Sequence, residues 1–331
     1  MKKFLQGKAK ILFLCLFVVL TCTACSNPRG KDGKTKVDQI IASEVVKVEK
    51  GKVNVSEIED EKLAKQYAKL KDTDIIEIQP KAFKDSFKDG WFEGLIVWPI
   101  AQLINKISSI TGDAGFGIIC STILIQVILF LFTRKSQMSS QRMQEIQPEL
   151  QRITDKYKDK TDDQSKMRMY QEQQALYKKY DIHPIGSLLV TFIQLPVMMG
   201  MYYATMRAAA VLTGTFLGIS LQGTPMEGFK TFNIAYIVIY VLMIVCQLVS
   251  IKLPQWLKKY DDKRNNVKKK TYAEPEKSGM DTASMTMYMS TAMIAFLYLS
   301  WPIAMAFYWL VTSLYRICQT IVLHQLMKKQ K

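Results

Sequence analysis

The sequence predicts an all-α polytopic membrane protein, with five transmembrane helices after a cleaved lipoprotein signal, an external amphipathic helix and a cytoplasmic helical hairpin. Three observations predict it. Several apolar runs come close to the roughly 20 residues that a bilayer requires. The charges, 45 Lys+Arg against 29 Asp+Glu for a net +16, are gathered in separate blocks between those runs. The chain opens with a basic stretch, then an apolar one, then small residues and cysteine. At 331 residues the chain is long enough for one or two domains, and its apolar runs argue against a soluble single-core enzyme and exclude disorder throughout.

Residues 1–24 read as the signal peptide. Lys2, Lys3, Lys8 and Lys10 are its basic region, and Ile11 to Leu20 is an apolar stretch too short for a standard span. In Cys22-Thr23-Ala24-Cys25-Ser26, small residues precede a cysteine directly after the apolar stretch, which resembles a lipobox. Cys25 is the candidate lipid-attachment residue, and acyl chains there would hold the new N-terminus on the outer face of the membrane. An uncleaved N-terminal anchor is the alternative.

Residues 25–90 read as a lipid-anchored external tether. Lys is mixed almost evenly with Asp and Glu, glycines 30, 33 and 51 interrupt the stretch, and no strong apolar face emerges; only Val53 to Leu70 suits a weak helix. Gly33-Lys34-Thr35 ends like a phosphate loop, but the glycine five residues earlier is missing, so no nucleotide site is expected.

Residues 91–331 form the core. From 91 to 110, Phe92, Leu95, Ile96, Ile100, Leu103, Ile104, Ile107 and Ile110 recur at helical spacing, while Glu93, Gln102, Asn105 and Lys106 fall elsewhere. Trp91 and Trp98 add interfacial aromatics, so an amphipathic helix lying on a bilayer surface is expected. Five spans follow, over 116–132, 185–206, 232–249, 285–299 and 302–323, the fourth being short. Eleven Lys and Arg lie between spans one and two and nine between spans three and four, whereas the loop from Ala210 to Thr231 holds only Lys230. The positive-inside rule puts the basic segments and the C-terminus in the cytoplasm. Within the first basic segment, 134–183, Met143, Ile146, Leu150, Ile153 and Tyr157 form a heptad seam, and Met167, Tyr170, Gln174 and Tyr177 repeat it with a wetter face. Two antiparallel helices are expected there, with a kink at Pro148.

Polar side chains inside spans are the candidate functional residues, because a mere anchor avoids them. Gln126 lies midway along span one, Gln194 midway along span two just before Pro196, and Gln247 near the inner end of span three. In span five Tyr308 and Trp309 are followed by Ser313, Arg316 and Gln319. Gln247 is read as interhelical glue, and the others as lining of a wet cavity open to the cytoplasm. Flexible methionines crowd the spans and suit varied apolar guests. Cys120, Cys246 and Cys318 sit in apolar surroundings as packing residues, and with two histidines and no nucleophile, metal or nucleotide motif neither catalysis nor a cofactor nor a metal is expected.

The hairpin stretch Gln141-Arg142-Met143-Gln144-Glu145-Ile146-Gln147-Pro148-Glu149-Leu150, with Phe192-Ile193-Gln194-Leu195-Pro196-Val197, Tyr202-Tyr203, Trp301-Pro302 and Phe307-Tyr308-Trp309-Leu310-Val311, resembles the Gram-positive members of the YidC membrane insertase family over residues 91–331. The resemblance implies an insertase and chaperone with a hydrophilic groove closed to the outside and open to cytoplasm and lipid. Its substrates would be nascent membrane proteins, its surroundings membrane lipids, and DNA no partner. The Sec translocon and the ribosome are further partners that it brings, although the tail after His324 is short for a ribosome site. Gln194 and Trp309 match groove positions. Gln126 stands where the family carries a span-one arginine, and Arg316 falls where it usually carries an uncharged residue, so Arg316 is the candidate replacement. A small secondary transporter or channel is the alternative reading, which would call for internal repeats.

Overall fold

The computed structural model describes residues 28–58, 60–160, 162–182, 184–266 and 282–329. The expected signal peptide and Cys25, His183, and part of the second basic segment lie outside the described residues. The described chain is mostly helical and divides into two compact units. One takes the residues up to Ile125 with Phe192–Val241 and Tyr298–Val311; the other takes Gln126–Thr191, Leu242–Leu297 and Thr312–Lys331.

In the first unit, the residues expected as a tether carry ordered structure. Strands β1 (Val46–Glu49) and β2 (Ile75–Ile78) pair antiparallel, with Val48 opposite Ile76. The two-residue period of a strand turns Val48, Ile76 and Ile78 inward and leaves Lys47 and Glu77 to solvent. Helix α1 (Glu61–Ala68) is capped by Asp60, whose carboxylate accepts from the backbone N–H groups of Lys62 and Leu63. Tyr67 of α1 joins Val37, Ile40, Val48, Val53, Ile76 and Ile78 in one core, which also takes in Ala209 and Leu212.

Helix α2 (Phe83–Lys88) leads into a π-helical turn over Glu93–Val97 and then α3 (Trp98–Thr111). Gly112 ends α3 in the left-handed region at φ 72°, and Asp113 opens α4 (Ala114–Glu145) by accepting from Gly115 N and Phe116 N. The polar side of this segment is partly covered: Glu93 and Asn105 are buried, while Leu95 and Ile110 are exposed. The reason is the strap of residues 35–43, which covers that side. Asn105 Nδ2 donates to Ile41 O at 2.7 Å, and Gln102 Nε2 to Ala42 O at 3.1 Å.

Helix α7 (Pro184–Arg207) passes α3 at Gly200, where a Cβ would lie 2.5 Å from Ile96 Cγ2. The chain then turns into α8 (Ala209–Thr213), a short ribbon of β3 (Thr215–Phe216) and β4 (Ile219–Ser220), and α9 (Pro225–Lys230), which begins with a Thr224–Glu227 capping box. Among the described residues, three helices are long and apolar enough to cross a membrane: α4, α10 (Ile234–Arg264) and α12 (Ile303–Lys329). Helix α11 (Thr282–Tyr298) is shorter.

The second unit holds the hairpin, α5 (Gln147–Lys156) and α6 (Asp163–Lys179). Pro148 marks a break where a kink was expected. Helix α4 stops at Glu145, Ile146 leaves helical geometry at ψ 1°, and Pro148 sits in the first turn of α5, where a missing N–H costs no helical bond. Ile146 and Leu150 bury against Ile182, flanked by Met143, Leu176, Tyr177 and Tyr180. The far half of the second seam is not packed, since Met167 and Tyr170 are more than half exposed and Tyr157 turns its hydroxyl to Glu172 at 2.8 Å.

Candidate functional site

An amide or hydroxyl placed in an apolar helix must find a partner or leave an unmet hydrogen bond, so each candidate is defined by what it touches. In the first unit, Pro196 interrupts the hydrogen-bond ladder of α7, two residues after the half-buried Gln194. Gln194 Nε2 donates to Tyr308 Oη at 3.1 Å. Tyr308 is fully buried, and the neighbouring Trp309 packs its ring against Tyr298 and Tyr308 at centroid separations of 5.3 and 5.6 Å. The Trp309 Nε1–H is buried and has no hydrogen-bond partner among the described residues.

In the second unit, Gln126 is buried and its Nε2 faces Thr312 Oγ1 at 3.5 Å. Ser313 is buried completely and donates to Gln247 Oε1 at 2.7 Å. The glutamine read as interhelical glue is therefore the partner of a serine read as cavity lining. Arg316 and Gln319, on the following turns of α12, are half-buried. Further along, Gln141 Nε2 reaches Thr320 O at 3.1 Å, so α4 and α12 are joined by side-chain amides at two levels. Hydroxyl, phenol, amide and indole groups exchange hydrogen bonds without proton transfer, which suits a surface that holds and releases backbone groups.

The sequence reading missed three charged clusters. In the first unit Arg207, at the end of α7, forms a buried ion pair with Glu93 and lies 5.5 Å from the Tyr203 ring centre. In the second unit His324 stands between two carboxylates, Nε2 at 2.8 Å from Asp261 and Nδ1 at 3.3 Å from Glu145. Burial opposes the Asp261 charge, but Lys328 at 2.5 Å and His324 outweigh it and hold its pKa below the ordinary carboxylate value. Close by in sequence, Glu149 pairs with Lys258 and accepts from the Tyr180 hydroxyl at 3.0 Å. Desolvation, then the Glu149 charge, push the Tyr180 phenol up to about 12. The signal available in sequence was the pair of acids in the Glu145-Ile146-Gln147-Pro148-Glu149 stretch, isolated among basic residues.

The family model described as 60Kd inner membrane protein matches residues 106–330. The chain belongs to this family, that of the YidC insertases. Membrane protein insertase YidC 1 of Streptococcus pyogenes serotype M6 is 31% identical over 235 residues, 71% of this chain and 74% of its own. Membrane protein insertase MisCA of Bacillus subtilis is 28% identical over 235 residues, 70% of this chain and 79% of its own. With the three membrane-capable helices, this makes the chain a multi-pass protein of the cytoplasmic membrane. The four glutamine pairs and the hairpin lie within the matched span of this YidC family member, whereas residues 28–105, with β1, β2 and most of α3, precede it.

Proposed function

We propose that the chain is a membrane protein insertase and chaperone, which helps nascent proteins enter and fold in the cytoplasmic membrane through a hydrophilic groove open to cytoplasm and lipid. Membership of the family and the insertase names of its relatives support the reading. The observation that carries it is the buried Trp309 N–H, which has no hydrogen-bond partner among the described residues, beside the Gln194–Tyr308 hydrogen bond. An unmet buried donor costs about 1–3 kcal/mol, and a guest's backbone carbonyl can relieve that cost while it is held. Gln194, Tyr308 and Trp309 supply such contacts in the first unit, and Gln126, Ser313 and Arg316 in the second.

The physical task is desolvation. A polar flank crossing ~30 Å of hydrocarbon loses the water on its backbone groups. A wet surface reaching partway shortens the dry path, and the guest's apolar segment then moves into lipid by its own burial. No step requires ATP. In this reading α7 and α11 complete five spans with α4, α10 and α12, the C-terminus is cytoplasmic, α3 lies on the outer surface, and Cys25 carries the acyl anchor after signal cleavage. The hairpin is a capture surface for emerging chains, with the Sec translocon and the ribosome as candidate neighbours.

Arg316 supplies the positive charge that Gln126 lacks. Arg316→Ser is expected to reduce insertion of a single-span test protein, and Gln126→Arg to restore it; full insertion by Arg316→Ser alone removes that role. Photocrosslinking from positions 194 and 309 during translation of such a test protein, in cells depleted of the native chain, tests the groove itself. Crosslinks to the nascent chain are expected, and normal insertion during depletion overturns the reading.

A further inference from the structure

We propose that α2 is a second interfacial anchor, seating residues 28–90 on the headgroup layer of the bilayer. This goes beyond the family's span, since α2 precedes the matched residues, and it rests on the reading of α3 as a helix lying on the outer surface.

The surface is built as follows. Phe83 and Phe87, one helical turn apart, are 42% and 46% exposed, and Leu95 is 55% exposed. The Phe83 ring meets Phe87 at 6.0 Å and stands edge-on to Trp98 at 5.4 Å. Phe87 lies so close over Gly94 that a Cβ there would come within 2.7 Å of its ring. The absent side chain at 94 thus lets α2 and the start of α3 share one aromatic surface. Trp98 donates its indole N–H to Lys81 O at 2.8 Å, which satisfies the ring's polar edge and leaves an apolar body.

A contiguous exposed aromatic patch on a protein calls for a partner. Two observations favour lipid. Leu95 of the π-helical turn and Pro99 and Ile110 of α3 are exposed as well, and the membrane-capable α4 begins at Ala114, two residues after the α3 cap. Lys84 is exposed on α2, Lys88 bonds Asp85 and Lys81 bonds Asp89, so the segment keeps a small positive excess beside its rings, which matches a headgroup layer containing anionic lipid. A protein partner needs neither the continuity with α4 nor the lysines.

The test places an environment-sensitive fluorescent amino acid at 83, 87, 110 or 77, one site per protein, in the full chain in vesicles of phosphatidylethanolamine and phosphatidylglycerol. Quenching is read from lipid spin-labelled near the headgroup. Sites 83 and 87 are expected to shift to the blue and lose more than half of their emission, while site 77, on the solvent side of β2, stays aqueous. Aqueous behaviour at 83 and 87 with quenching at 110 overturns this proposal and leaves the α3 reading standing; aqueous behaviour at all four overturns both. Because the probed side chains are already exposed, folding is preserved, and an unchanged protease-resistant fragment verifies it. A photoreactive residue at 83 that labels protein in place of lipid also overturns the proposal.

Discussion

Residues 28–90 and the α5–α6 hairpin are both charge-rich segments outside the apolar helices, yet they are held in opposite ways. The first encloses a shared core of ten buried apolar residues and ties its backbone to the α7–α8 corner: Ile41 N to Arg207 O at 2.7 Å, Ala209 N to Ile41 O at 3.0 Å, and Thr35 Oγ1 to Met206 O at 3.0 Å. The hairpin has a smaller core, Ile146, Leu150 and Ile182, with Tyr157 buried apart from it, and otherwise relies on exposed ion pairs such as Lys156–Glu172. Buried apolar area and buried backbone bonds carry stability, whereas surface ion pairs carry little. A segment of the first kind holds its geometry, and one of the second kind opens at lower cost.

That contrast breaks first at Arg207. Arg207→Ala strands the Glu93 carboxylate in a buried site and is expected to cost about 3–5 kcal/mol, seen as faster proteolysis of the full chain within residues 28–111. Replacing both members, Glu93→Leu with Arg207→Met, is expected to recover most of that loss. Next comes Asn105→Ala, which leaves the Ala210 N–H without its acceptor at 3.0 Å and is expected to cost about 1–3 kcal/mol in the same assay.

In the hairpin the informative change is in pH. The folded Tyr180 phenol ionises near 12, above its ordinary value of 10.0, so its contribution is complete below pH 10. It falls away as pH rises from 10 to 12, where the unfolded chain loses the proton and the folded one keeps it. Tyr180→Phe is expected to flatten the pH dependence of hairpin proteolysis in that window. The smallest effect belongs to Lys156→Ala, which is expected to leave thermal unfolding unchanged, because the Lys156–Glu172 pair is solvent-exposed.

The long apolar helices were legible because a run of spanning length leaves few alternatives, and α4, α10 and α12 fall where spans one, three and five were read. The β1–β2 pair was not legible. Val46-Lys47-Val48-Glu49 and Ile75-Ile76-Glu77-Ile78 are four residues each, too short to stand out of a charged background, and their core is completed by Ala209 and Leu212 from far along the chain. The same non-local packing explains Glu93 and Asn105: helical spacing assigns them to a polar face, and only the strap of residues 35–43 and the end of α7 reveal that the face is covered. Among the candidate site residues, polarity within an apolar run located Gln126, Gln194 and Ser313, but pairing is a matter of register between helices. Spacing along one helix could not tell that Ser313 binds Gln247 or that Gln194 binds Tyr308.

The strap also imposes an order on biogenesis. Thr35 leaves the ribosome early, but the carbonyl it will bond belongs to Met206, 171 residues later. At ~5–20 residues per second, synthesis leaves that gap open for on the order of 10–30 s. Through this interval the N-terminal segment is a half-finished fold whose closing piece has yet to be translated, exposed meanwhile to proteases and to premature pairing with other chains.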